Sequence, residues 1–144
     1  HKDEKIKVDD LEIKTFGSTD SGVSFLVKKE DITIFHSGDL NWWHWKNDTR
    51  EEQKSEEENY KKEVKKIAKE GKIDIAFVPV DPRLDEYYYL AGDYFIREVK
   101  PEVFIPLHFG SDFEITEEFA EKMSNSNINS EIKVINKKLQ VIEL

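Results

Sequence analysis

Three segments of this 144-residue chain put residues able to do chemistry at the ends of apolar runs, where a rigid scaffold can aim them. In Phe35-His36-Ser37-Gly38-Asp39-Leu40 an apolar run passes into Gly-Asp. A carboxylate directly after a glycine reaches a cleft with little steric obstruction, and an Asp oxygen is a good ligand for a zinc-like or manganese-like ion. Gly-Asp is also ordinary turn chemistry, so the spacing alone leaves both readings open. In Phe104-Ile105-Pro106-Leu107-His108-Phe109-Gly110 a histidine closes an apolar run, placed either to project its imidazole from a sheet edge as a ligand or to sit hydrogen-bonded in the core. The third segment, Phe16-Gly17-Ser18-Thr19-Asp20-Ser21-Gly22-Val23-Ser24-Phe25, read alone is only a small-residue turn between two strands.

Three further residues stand near these segments. His36 lies three positions before Asp39 on the same run, so period-2 alternation sends the two side chains to opposite faces and gives His36 a structural or ligand-supporting role. His44 sits among Trp42, Trp43 and Trp45, either on a cleft rim touching substrate or in a packing knot that anchors the following acidic helix. Arg83, after Asp81-Pro82, could bind a substrate anion; pairing with Asp85 or Asp93 is the stronger expectation. No phosphate-binding P-loop, Gly-x-Ser-x-Gly elbow or His-Glu-x-x-His helix is present.

The elements that must position these residues follow from periodicity. Leu11, Ile13 and Thr15 alternate with polar residues, and runs at Val23 to Lys28 and Ile32 to His36 complete a three-strand meander. Asn47, Asp48 and Thr49 offer N-caps to an acidic first turn, and Tyr60, Val64, Ile67 and Ala68 give the buried stripe of a helix ended by Gly71. Ile73 to Val80 reads as a strand buried on both faces. Tyr88, Ala91, Phe95 and Val99 predict a second helix over about 86–99 despite Gly92, stopped before Pro101. A strand over Val103 to His108, a third helix over about 115–124 and short strands around Ile132 to Ile135 and Leu139 to Ile142 follow. This order predicts an α/β fold, a mixed sheet with helices packed on one face.

Composition narrows the function classes. With 38% hydrophobic residues the chain can furnish the core of one domain or part of one. A net charge of −9 disfavours sequence-independent binding to nucleic acid or to anionic membranes, and leaves a small molecule as the expected partner. There is no cysteine, so any metal must be held by histidine and carboxylates. No apolar run is long enough to span a bilayer and no signal-peptide core opens the chain, which makes the cytoplasm the default location.

Taken in order, the three segments resemble the second half of the metallo-β-lactamase superfamily. There a turn of the type Gly-His-Thr-x-Gly-x-x-Ser-Phe gives a histidine ligand, a strand ends in Gly-Asp with a metal-bridging aspartate, and a late strand ends in a histidine ligand. Gly17 to Phe25, Ile34 to Asp39 and Val103 to His108 match these in outline, over almost the whole chain. The strings His36-Ser37-Gly38-Asp39-Leu40-Asn41-Trp42-Trp43-His44-Trp45 and Asp81-Pro82-Arg83-Leu84-Asp85-Glu86-Tyr87-Tyr88-Tyr89 are similar to those of a bacterial branch of uncharacterised metallo-hydrolases.

The resemblance implies the second half of an αββα sandwich, with Asp39 and His108 as metal ligands and one or two divalent ions, zinc first and manganese or iron as alternatives. Such ions activate water for hydrolysis and polarise the bond attacked. Esters, lactams, thioesters and phosphodiesters are all cleaved on this fold, so the substrate is not implied. Two departures modify the expectation. Ser18 stands where most of the superfamily has a histidine, which makes one metal position weak unless Asp20 substitutes. The His-x-His-x-Asp-His loop occurs nowhere in these 144 residues, so residues 1–144 are expected to be a C-terminal half whose N-terminal half lies elsewhere. A fragment of that kind would be inactive alone and would expose an apolar sheet face open to self-association. The rival expectation is a non-catalytic interaction or assembly module derived from the same fold.

Overall fold

A computed structural model describes all residues from 1 to 144. Its seven strands pair in chain order: β1 (Lys5–Val8), β2 (Leu11–Phe16), β3 (Ser24–Lys29), β4 (Ile32–His36), β5 (Ile75–Pro79), β6 (Val103–Leu107) and β7 (Glu131–Ile132). The first four form an antiparallel meander, and β4 through β7 are parallel. Parallel neighbours need crossovers, and these carry α1 (Arg50–Ala68), α2 (Leu90–Val99) and α3 (Glu114–Ser124). Because the strand order never reverses, crossovers of one hand place all three helices on the same face. Phe35, Ala76, Val78 and Phe104 of the sheet accordingly share one core with Tyr60 of α1, Phe95 of α2 and Phe119 of α3.

The helices are fixed by local chemistry. Of the three N-cap candidates Thr49 is the one used: its Oγ1 accepts the Glu52 N–H at 3.2 Å, and the Glu52 carboxylate accepts the Thr49 N–H at 2.8 Å. Buried Tyr60 donates its hydroxyl to the Ala91 carbonyl at 2.9 Å, tying α1 to α2. Gly92 lets α2 approach α3, since a Cβ there would lie 2.6 Å from Cζ of Phe119.

Three boundaries differ from expectation. The second helix is split: a 3-10 turn over Pro82–Tyr87 precedes α2, because Asp85 adopts φ 50 and ψ −128, which no α-helix tolerates. The mixed-charge opening segment forms β1, an exposed edge strand whose Lys5 and Lys7 discourage further pairing. At the other end only Glu131–Ile132 is a strand, and the run from Leu139 to Ile142 is irregular. Leu139 has φ +55, which breaks extension, and the Gln140 side chain turns back to accept the Asn136 N–H at 2.7 Å.

The face without helices is apolar. Ile6, Ile13, Val27, Ile34, Ile75 and Val103 stand in one cross-strand row, and Phe25, His36, Phe77 and Ile105 in the next. Ile135 and Ile142 of the C-terminal tail pack against the β5 and β6 end of this face. The meander end is bare, and Ile6, Val8, Phe25 and Ile32 are between 39% and 54% exposed.

Candidate metal centre

The Gly-Asp turn is set by a steric requirement. Gly38 has φ +56, and a Cβ at this position would lie 2.7 Å from the Val23 carbonyl oxygen, so only glycine can deliver Asp39 from the end of β4. The Gly38 N–H donates to Nδ1 of His36 at 3.0 Å. His36 itself lies on the open face, stacked on Phe77 with ring centroids 5.7 Å apart.

At the end of β6, His108 adopts φ +62, a left-handed conformation uncommon for a non-glycine residue. Its Nε2 comes to 3.2 Å from Oδ1 of Asp39, and its Nδ1 to 3.5 Å from Oδ2 of Asp81. Asp81, fully buried at the end of β5, also accepts Arg83 Nε at 2.9 Å, Arg83 Nη2 at 2.6 Å and the Arg83 backbone N–H at 3.0 Å. Burial works to raise the Asp81 pKa, but the contacts with His108 and Arg83 prevail and hold it well below the usual carboxylate range. The same contact with Asp81, against burial and with help from Asp39, raises the His108 pKa.

Asp39, His108 and Arg83 line a cleft of about 440 Å³ together with Trp43 and Trp45, and Thr19, Asp20 and Glu56 complete its wall. Thr19 fastens two of the segments: its Oγ1 donates to the Asn41 carbonyl at 2.6 Å and accepts the Asn41 N–H at 2.9 Å. Of the residues singled out in the sequence, Asp39, His108, Asp20 and Arg83 thus meet in one cleft. Ser18 does not line it; its Oγ accepts the Asp20 N–H at 3.2 Å and shapes the turn. His44 is also outside, packed on Tyr87 with centroids 4.2 Å apart, while Trp45 receives the Gln53 side chain of α1 on its carbonyl at 2.8 Å. That is the geometry of a packing knot. Arg83 pairs with Asp81 rather than with the expected Asp85 or Asp93, and Asp93 is instead held by Arg97 at 2.9 Å.

The donor set fits part of a metal site. A tetrahedron with bonds of about 2.0–2.1 Å has edges of roughly 3.3 Å, close to the separation of Nε2 and Oδ1, and a histidine ligand commonly has its second nitrogen backed by a carboxylate, as Asp81 backs His108. No third His, Asp or Glu joins these two in a group able to hold an ion.

Comparison with solved structures identifies the fold. A Thermotoga maritima protein assigned to the metallo-β-lactamase superfamily as a Zn-dependent hydrolase superimposes with a TM-score of 0.51 over 85% of this chain and 57% of its own, at 16% identity. The metallo-β-lactamase fold protein YhfI of Bacillus subtilis does so with a TM-score of 0.56 over 92% of this chain and 49% of its own, at 8% identity. The chain has the metallo-β-lactamase fold. The E377D mutant of the β-hydroxylase CmlA matches as well, with a TM-score of 0.59 over 92% of this chain and 31% of its own, at 9% identity. The chain therefore spans between about a third and three fifths of these neighbours. No protein-family profile and no curated protein matches the sequence. Within this metallo-β-lactamase fold the strand ends that carry Asp39, Asp81 and His108 lie side by side, because β4, β5 and β6 are parallel neighbours. Sequence spacing does not single out Asp81, Trp43 or Trp45; the structure sets Asp81 against His108 and the two tryptophans on the cleft wall.

Proposed function

We propose that the protein is a metal-dependent hydrolase, with Asp39 and His108 as ligands of a divalent ion and the remaining ligands supplied by residues outside these 144. The observation that carries the reading is the convergence of His108 Nε2 and Asp39 Oδ1 at 3.2 Å, with Asp81 behind the imidazole. An ion held there supplies Lewis acidity and lowers the pKa of water toward neutrality. Zinc suits a nitrogen and oxygen donor pair, and manganese and iron are the alternatives. The chain's own residues orient the site: Asp81 keeps the His108 proton on Nδ1 and leaves Nε2 free to bind, and the cleft walls receive a small-molecule substrate. With Ser18 committed to its turn, Asp20 is the residue of that segment able to reach the cleft, so one tight equivalent of metal is expected and the second is weak.

The test uses the longer polypeptide that supplies the other ligands, assayed against ester, lactam, thioester and phosphodiester probes before and after metal removal. Activity that is lost with the metal, restored by zinc and lowered at least about 100-fold in Asp39→Ala and His108→Ala is expected. Full activity in both variants would overturn the reading. A second reading, an assembly module without catalysis, is favoured by one observation: the bare apolar end of the sheet at Ile6, Val8, Phe25 and Ile32.

A further inference from the structure

Two residues that line the cleft carry hydrogen-bond donors without a protein partner. Arg83 is held side-on by Asp81, which uses Nε and one N–H of Nη2, and this leaves Nη1 and the outer edge of the guanidinium without an acceptor. That side chain is 61% exposed although its partner is fully buried, so the fork is fixed at its base and open at its tip. The second donor is the indole Nε1–H of Trp43, buried and unpartnered in a residue only 7% exposed.

The wall that holds both donors is flat and aromatic. Trp43 and Trp45 stack with ring centroids 5.7 Å apart and planes within 8°, and the Arg83 guanidinium lies 5.6 Å from the Trp43 centroid. Stacking and the Asp81 pair together fix the plane of the guanidinium, the condition under which arginine binds an oxyanion through two parallel N–H groups. Asp20, Asp39 and Glu56 share the cleft and oppose a bound anion; Asp39 is offset when an ion is held, and burial together with Asp48 and Asp20 raises the Glu56 pKa.

We infer that this cleft takes a substrate with an oxyanion, a carboxylate or a phosphate, attached to a flat apolar group, the anion received by the open edge of Arg83 and the flat group by the Trp43 and Trp45 wall. The inference rests on the reading of this cleft as the reaction site and deepens it by giving the substrate a chemical class.

The 144-residue chain can be tested directly by amide, indole and guanidinium NMR, with zinc present and with chelator. Phenyl phosphate and benzoate are the two anionic probes, which separate phosphate from carboxylate recognition, and benzyl alcohol is the neutral control. Both anions, or one of them, should shift the Trp43 indole and Arg83 Nε–H signals and bind at least about ten-fold more tightly than benzyl alcohol in at least one metal state. Arg83→Gln should weaken the preferred anion about ten-fold or more in that state. Trp45→Ala, which leaves the Asp81 pair intact, should weaken phenyl phosphate or benzoate more than inorganic phosphate. No binding by either anion, equal affinity in Arg83→Gln, or shifts confined to residues outside the cleft would each overturn the inference. Since the chelator arm contains no ion, metal binding unchanged in Asp39→Ala with Arg83-dependent anion binding intact would reject the metal reading alone.

Discussion

One buried carboxylate, Asp81, joins His108, the proposed metal ligand, to the cleft arginine Arg83. Replacing it by asparagine keeps the shape but removes the charge that orients both partners, so Asp81→Asn is expected to weaken zinc binding by about 10-fold or more in calorimetric titration. Asp74 plays a structural part of the same kind at the entry to β5. Its carboxylate accepts the Thr33 N–H at 2.7 Å and pairs with Lys72 at 2.9 Å, and the Lys72 contact is the main cause of its lowered pKa. A depressed carboxylate pKa adds stability that is complete above the unfolded value of about 3.9 and is lost as pH falls through the folded value. The chain should therefore lose stability as pH drops below about 4, and Asp74→Asn should flatten that part of a urea-midpoint profile against pH. At this scale Asp39 and His108 were legible because a strand end followed by Gly-Asp or ending in His is written in consecutive residues. The Asp81 contact with His108 was not, since it depends on β5 and β6 lying side by side, and the positive-φ Asp85 that splits the second helix has no sequence signature.

Elements with strong periodicity were read correctly, and those with weak periodicity were not. The meander, α1, β5, β6 and α3 follow from apolar spacing with boundaries shifted by a few residues. β1 was hidden because its alternation, Lys5-Ile6-Lys7-Val8, runs for only four exposed residues inside a mixed-charge stretch. The tail misled in the opposite sense: Leu139, Val141 and Ile142 have strand-like composition, yet Leu139 and Val141 are almost wholly exposed and gain nothing from pairing. Gly92 shows how a residue unfavourable in a helix can be required by packing. Helix propensity favours alanine there by about 1 kcal/mol, but its methyl group would press Phe119 and Phe104 at 2.6 and 3.0 Å. Overpacking of this kind costs about 1–3 kcal/mol, so Gly92→Ala should destabilise the chain by a net of about 1 kcal/mol in urea unfolding. A stabilised Gly92→Ala protein would mean that α2 and α3 are less closely packed than described.

On the scale of the whole molecule, the sheet is covered by helices on one side and only partly by the tail on the other. Ile6, Val8, Phe25 and Ile32 form the bare end of that second face, and apolar patches of this sort recruit partners. The isolated chain is expected to scatter light with a mass above 17.0 kDa at micromolar concentration, and the double variant Ile6→Lys with Ile32→Glu to return it to 17.0 kDa. A wild-type chain that stays monomeric would show that the face needs no cover. The metal centre is tested most directly by zinc titration, in calorimetry, of the longer polypeptide that supplies the remaining ligands, beside its Asp39→Ala and His108→Ala variants. One tight binding event is expected in the unsubstituted polypeptide, weakened at least about ten-fold in each variant. The same zinc affinity in all three proteins would contradict it.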